Sequence, residues 1–199
     1  MTDRTNDSQT YPNFDYQLSA YDYCLPESRI AQNPVVPRDR AKLLIIDSPT
    51  THQHGHFYEL GDWLLPGDLL VLNDTKVIPS RLFGRMASGG AAEVLLIEPL
   101  DDERWLALVR PGRRIQPETE ILFGEEGEPP LLKAVVLSRD ESTGGRIIRL
   151  MPMVEGTIDS LVHRLGRVPL PPYITQSESL PEQYQTVFAQ HEGAIAAPT

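Results

Sequence analysis

Between Asp68 and Met151 short apolar runs recur at even intervals, each bounded by Gly, Pro, Asp, Asn or Ser. They read "LLVLND", "VIPSRLFG", "AAEVLLIEPL", "RWLALVR", "TEILFG", "LLKAVVLSR" and "GRIIRLM". Most alternate apolar with polar positions, and each is about the five or six residues of an ordinary strand. No stretch of helical period interrupts them. Six or seven strands in unbroken succession predict a closed antiparallel β-barrel or a small sandwich.

The flanks follow a different rhythm. "AKLLIID" (Ala41–Asp47) is an apolar, β-rich run that predicts a strand. "LPESRIA" predicts a short helix opened by Pro26. In "FYELGDWLL", Phe57, Leu60, Trp63 and Leu64 stand at helical spacing. After Pro152 the helical period returns in "IDSLVHRLG", where Ile158, Leu161, Val162 and Leu165 share a face and Gly166 stands at the C-terminal cap position. "RVPLPPYI" then sets Pro169, Pro171 and Pro172 within four positions, a rigid extended ribbon because each proline fixes φ and removes a donor. An acidic linker, "TQSESLPE", precedes "EQYQTVFAQ", which predicts a second helix. The expected architecture is α/β (α+β): an α/β domain of residues 21–66 plus 152–199, interrupted by a β-barrel of residues 67–151, behind a polar leader of residues 1–20 expected to be disordered.

Composition narrows the classes. With 199 residues and 40% hydrophobic positions, the chain has the means to bury an ordinary core. No apolar run approaches the roughly 20 residues of a spanning helix, and the polar N-terminus lacks the apolar region of a signal peptide, so a cytoplasmic protein is expected. Cys24 is the sole cysteine, which leaves no internal disulfide and no cysteine-built zinc or iron–sulfur site. The net charge of −10 argues against a surface that is basic throughout, but permits a local basic patch.

Three constellations bear on chemistry. In "THQHGHFYE", His52, His54 and His56 alternate on one face of a strand, with Glu59 following, as in a cupin metal motif. That motif needs a further histidine from a later strand. The β-rich region has none, so alternating surface histidines are the expected reading and no metal is assigned. Pro169 and Pro172 form Pro-x-x-Pro, yet Gly166 and Ile174 occupy the places where a proline-recognition ligand carries a basic residue, which favours a strut walling a cleft. Basic clusters occur at Arg81 with Arg85, at Arg110, Arg113 and Arg114, and at Arg164 with Arg167. Any one cluster reads as solvated strand ends, though together they could form a stripe, with Arg110, Arg113 and Arg114 as its candidate phosphate contacts. There is no glycine-rich dinucleotide motif, no phosphate-binding loop and no nucleophile elbow.

Six blocks carry a resemblance: "LPESRIAQNP", "PRDRAKLL", "LPGDLLVLNDTKVIPSRLFG", "VPLPPYI", "YQTVFA" and "GAIAAPT". In this order they resemble the S-adenosylmethionine:tRNA ribosyltransferase-isomerase family of queuosine biosynthesis. The resemblance implies that S-adenosylmethionine is a co-substrate giving its ribosyl group to 7-aminomethyl-7-deazaguanine at the tRNA wobble position. Epoxyqueuosine-tRNA forms, and adenine and methionine leave. Such a reaction needs a general base and donors around the departing adenine. It needs no metal and no redox cofactor.

The matching blocks point to Asn73, Thr75, Arg81, Pro171, Pro172, Tyr173, Tyr184, Thr186, Ala197, Pro198 and Thr199 as substrate-binding positions, and assign no catalytic base. The expected partner is tRNA carrying the deazaguanine precursor, met by a monomer without a membrane. Family members continue past the Ala-Ala-Pro-Thr string, so the chain is expected to be an N-terminal portion, inactive alone. The rival expectations are a non-catalytic β-barrel module that binds RNA or protein and, behind it, a cupin-like metal protein.

Overall fold

The structure, a computed structural model, describes residues 16–196. Its contacts divide the chain into a unit ending at Ala31 and a unit beginning at Gln32. The described part of the first unit holds two single 3-10 turns, Leu18–Tyr21 and Glu27–Arg29, neither of which has a buried residue. The helix expected at "LPESRIA" is thus one turn, started after Pro26 and ended by an extended Ile30.

The second unit is built around a closed barrel. Its strands are β4 (Arg81–Met86), β5 (Ala91–Pro99), β6 (Arg104–Arg110), β7 (Glu120–Phe123), β8 (Leu132–Arg139) and β9 (Arg146–Pro152). They join in the order β4-β5-β6-β9-β8-β7, every pair antiparallel, and β7 closes onto β4 through Arg85 opposite Leu122. The alternation of the sequence becomes the alternation of faces. Val94 and Leu96 of β5, Ala107 of β6, Phe123 of β7, Leu132 and Ala134 of β8, and Ile148 and Leu150 of β9 are fully buried inside. Closure leaves no free edge in this sheet.

Helix α1 (Ile158–Leu165) packs its apolar face on the barrel core: Leu161 and Val162 are buried, and Ile158 and Leu165 are half-buried beside them. Thr157 caps its start, its hydroxyl accepting the Ser160 N–H at 3.2 Å. Gly166 ends it for a steric reason rather than a conformational one, since its φ of −82° suits any residue. A Cβ there would run into the carbonyl of Pro79. Directly after it, Arg167 and Arg81 exchange both backbone hydrogen bonds, at 2.9 and 3.1 Å. The Arg167 guanidinium lies over the Phe83 ring, 5.2 Å from its centre.

Outside the barrel, β1 (Lys42–Ser48) and β2 (Thr51–His56) form an antiparallel hairpin, which bears out the strand expected at "AKLLIID". A short β3 (Thr75–Val77) pairs in parallel with β10 (His191–Ala194).

Three expectations are corrected. "LLVLND" is an extended, exposed segment and no strand, which leaves six barrel strands. "FYELGDWLL" forms a 3-10 helix, Phe57–Trp63. "EQYQTVFAQ" is no helix beyond a 3-10 turn at Pro181–Tyr184, because the following side chains bond to distant backbone in place of continuing a helical ladder.

Candidate functional site

The ribbon and the linker behind it form a strap held almost entirely by side-chain amides. Gln32 Nε2 donates to the Tyr173 carbonyl at 3.1 Å, and Gln32 Oε1 accepts the N–H groups of Thr175 and Gln176 at 2.9 and 3.1 Å. Asn33 Oδ1 accepts from Glu178 N and Ser179 Oγ at 2.9 and 3.0 Å. Tyr184 Oη lies 2.9 Å from Ser177 Oγ. Each bond satisfies a backbone or hydroxyl group that an irregular segment leaves without a ladder partner. Gln185 goes further and pairs with β3: its Oε1 accepts Val77 N–H and its Nε2 donates to the Val77 carbonyl, both at 2.8 Å.

The strap gathers many of the expected substrate positions around β3. Thr186 Oγ1 donates to the Asn73 carbonyl at 2.8 Å, and Asn73 Oδ1 accepts the Thr75 N–H at 3.0 Å. Pro171 starts a tight turn, with its carbonyl accepting the Ile174 N–H at 3.0 Å; Pro172 and Tyr173 are exposed at its apex. Tyr184 and Gln185 line a cleft of about 360 Å³ with Lys76, His163 and Arg167. Glu192 bridges two of these side chains, 3.2 Å from His163 Nε2 and 3.5 Å from Lys76 Nζ. Ala197, Pro198 and Thr199 lie outside the described residues.

A second locus lies on the outer wall of the barrel. There Arg81, Arg110 and Arg113 border a groove of about 610 Å³ together with Arg139 and Arg146. Arg81 Nε is buried 3.4 Å from Glu93 Oε1, without the alignment of a hydrogen bond. Arg114 does not join this groove; its guanidinium lies beside Gly90, at the β4–β5 turn.

Arg146 is 5% exposed. Its Nε donates to the Ile115 carbonyl at 3.0 Å, its Nη2 to the Gly112 carbonyl at 2.8 Å, and its Nη1 to the carbonyls of Gly144 and Gly145 at 3.1 and 3.0 Å. Asp140 shapes the neighbouring turn by accepting from Ser142 Oγ, Thr143 N and Thr143 Oγ1 at 2.7, 2.8 and 2.6 Å. The Thr143 hydroxyl, with the Ser142 hydroxyl and the Thr143 amide, holds its carboxyl below the usual carboxylate range.

The histidines of β2 serve elsewhere. His52 and His54 meet edge to face at 5.4 Å, and His56 stacks on Tyr58 at 5.4 Å. Glu59 turns back to accept the His56 N–H at 2.7 Å, over Gly55, where any side chain would meet that carboxylate. Among the described residues no three His, Cys, Asp or Glu side chains gather as a metal-holding group.

Sequence reasoning missed Gln32, Asn33 and Gln185, whose partners lie more than a hundred residues away and leave no local pattern. Arg146 was legible. It occupies the inward register of "GRIIRLM" with Ile148 and Leu150, where an arginine demands an explanation.

The profile of a family described as "Queuosine biosynthesis protein" matches residues 18–199. A protein of Acaryochloris marina named S-adenosylmethionine:tRNA ribosyltransferase-isomerase is 54% identical over 94% of this chain and 51% of its own length. One of the same name from Nostoc is 47% identical over 94% of this chain and 52% of its own. A solved structure of an S-adenosylmethionine tRNA ribosyltransferase from Thermotoga maritima is 41% identical, covering 73% of this chain and 48% of that one, at a TM-score of 0.37. The chain spans about half the length of the curated relatives it matches.

Proposed function

This chain belongs to the queuosine biosynthesis protein family, and we propose that it carries part of the machinery that transfers and isomerises the ribosyl group of S-adenosylmethionine onto a 7-aminomethyl-7-deazaguanine in tRNA. The observation that carries the reading is the family match over residues 18–199, joined to about half identity with relatives bearing that enzyme's name. The products would be epoxyqueuosine-tRNA, adenine and methionine.

In this reading the cleft beside the strap is the small-molecule side. Val77, Pro79, Val168 and Leu170 give it apolar walls suited to an adenine face, while Lys76 and Arg167 offer positive charge to a carboxylate such as that of the methionyl group. Asn73, Thr75 and Thr186 organise the loop behind it. Tyr184 lines it, with Pro171, Pro172 and Tyr173 on its flank and Arg81 at the strand that follows β3. Ala197, Pro198 and Thr199 complete the set by position. Preorganisation is the strap's contribution: Gln185 fixes β3 and Gln32 fixes the ribbon before any substrate binds, so little ordering remains to be done at binding. On the tRNA side, Arg110 and Arg113, with Arg114 from beyond the loop, contact phosphates.

The test is a chimera in which residues 18–199 replace the matching half of the Acaryochloris marina relative. Precursor-containing tRNA and S-adenosylmethionine are supplied, adenine is followed by chromatography and tRNA by mass. Adenine release with a matching mass gain is the expected result; a folded chimera that yields neither overturns the assignment. The 199-residue chain, assayed alongside, is expected to bind tRNA and release no adenine.

A further inference from the structure

We propose that the arginine groove on the barrel wall is a preformed seat for the phosphodiester backbone of RNA, an inference that rests on the tRNA reading above only for the identity of the RNA. The groove lies on the outer face of three neighbouring strands. Arg81 stands opposite Leu95, Leu95 opposite Leu108, and Glu93 opposite Arg110. One rim is the loop bearing Gly112 and Arg113, the other the β8–β9 turn between Arg139 and Arg146.

The charge is unusual for this chain. Acidic residues outnumber basic ones, 28 to 18, yet five arginines line the groove against one carboxylate, and that carboxylate is taken by Arg81. Among the described residues Arg110, Arg113 and Arg139 form no ion pair. In an acidic protein, leaving three arginines together without carboxylates concentrates positive potential in one concavity.

Arg146 adds to this from below. Its guanidinium is buried and spends four of its five N–H groups on carbonyl oxygens, so most of its hydrogen bonding is met while its charge is not. An uncompensated buried cation is costly, and a phosphate in the groove above it is the missing counter-charge. The same four bonds tie Gly112 and Ile115 on one rim to Gly144 and Gly145 on the other, which fixes the spacing of the rims in the free protein.

The lining also says what is read. It contains no aromatic side chain on which a base could stack and no glutamine or asparagine free to read base edges, since Gln116 Nε2 is spent on the carbonyls of Gly112 and Arg113. The groove therefore tracks backbone charge rather than sequence.

Labelled bulk tRNA is titrated onto the intact chain over a range of salt. The triple variant Arg110→Ala/Arg113→Ala/Arg139→Ala is compared with Arg149→Ala, which removes an exposed arginine paired with Glu103 outside the groove. The triple variant is expected to lower the log–log salt slope by about 2 to 3, at about 0.7–0.9 per lost contact, and to weaken low-salt binding at least tenfold; Arg149→Ala leaves the slope as it was. Arg139→Glu alone is expected to exceed the loss of Arg139→Ala. An unchanged slope in the triple variant overturns the proposal, as does equal loss from Arg149→Ala. Tighter binding of polyglutamate than of tRNA at matched charge also overturns it, in favour of an acidic protein partner. An active chimera with a groove-independent slope removes the groove and keeps the tRNA reaction. A groove-dependent slope with an inactive chimera does the reverse.

Discussion

Gln185 completes the open side of β3 by pairing the oxygen and the nitrogen of its side-chain amide with the backbone N–H and carbonyl of Val77, a residue 108 positions earlier. Parallel β10 occupies the other side of that strand. Gln185→Leu strands a buried N–H and a carbonyl at once, and the expected cost is about 1–3 kcal/mol. For a chain of this size that lowers the melting temperature by about 2–4 °C per kcal/mol. Gln185→Glu keeps the acceptor and loses the donor, so its melting temperature falls between the two.

Gly166→Ala tests the contact between α1 and the chain entering the barrel. The backbone angles tolerate alanine, so the whole penalty comes from the Cβ against the Pro79 carbonyl. A loss of about 1–3 kcal/mol in urea unfolding is expected, as for other overpacked sites. Amide exchange should rise first at Arg81 and Arg167, whose paired bonds follow the helix. An unaltered midpoint would show that the helix end shifts without cost.

Asp140 sets a pH dependence. Its folded carboxyl binds a proton less readily than in the unfolded chain, because three donors favour the charged form. Its contribution is therefore complete above the ordinary Asp value of about 3.9 and fades as pH falls through the lowered folded value. Asp140→Ala should be less stable than the parent at neutral pH, with the gap closing in acid below that range. Denaturation curves at several pH values check it, and a gap that persists unchanged in strong acid would assign the loss to packing.

Around the Pro66-Gly67 turn the chain exposes a run of large apolar residues: Leu65 is 71% exposed, Leu69 88% and Val71 83%. Such a patch should bind a hydrophobic dye in the folded state. Leu69→Asp with Val71→Lys should reduce that fluorescence while shifting stability by no more than about 0.5 kcal/mol, since neither side chain is packed. Undiminished dye binding would place the sticky surface elsewhere.

The barrel was legible because its strands bury one face each, and a buried face writes itself as alternation: "AAEVLLIEPL" puts Ala92, Val94 and Leu96 inside. The helix at Ile158–Leu165 was legible for the same reason at a different period. "LLVLND" misled because an apolar run signals burial, and this one is exposed. "EQYQTVFAQ" misled because helical spacing is a weak claim when Gln185 and Thr186 have better partners across the fold. At the candidate sites, the arginines of "RPGRR" were visible as charge. That Arg113 faces the groove and Arg114 the β4–β5 turn was not, because side-chain direction in a loop follows no period. The anchoring amides were invisible altogether: a glutamine reads as solvent-facing until its distant partner is known.

The paired backbone bonds of Arg81 and Arg167 give the barrel and its helix a single doorway. Everything between these two residues is contiguous in sequence and closes on itself, whereas the strap joins segments on either side of them. Once the doorway forms, Val77 and Gln185 are separated by a short path through it, and the 108-residue loop between them no longer has to be closed. Because loop-closure entropy grows by about 0.6 kcal/mol per doubling of length, more than two doublings are removed, about 1.4 kcal/mol in favour of the strap. Assembly is thereby ordered in time: pulse-labelled amides of β4 to β9 gain protection first, and the N–H of Val77 follows.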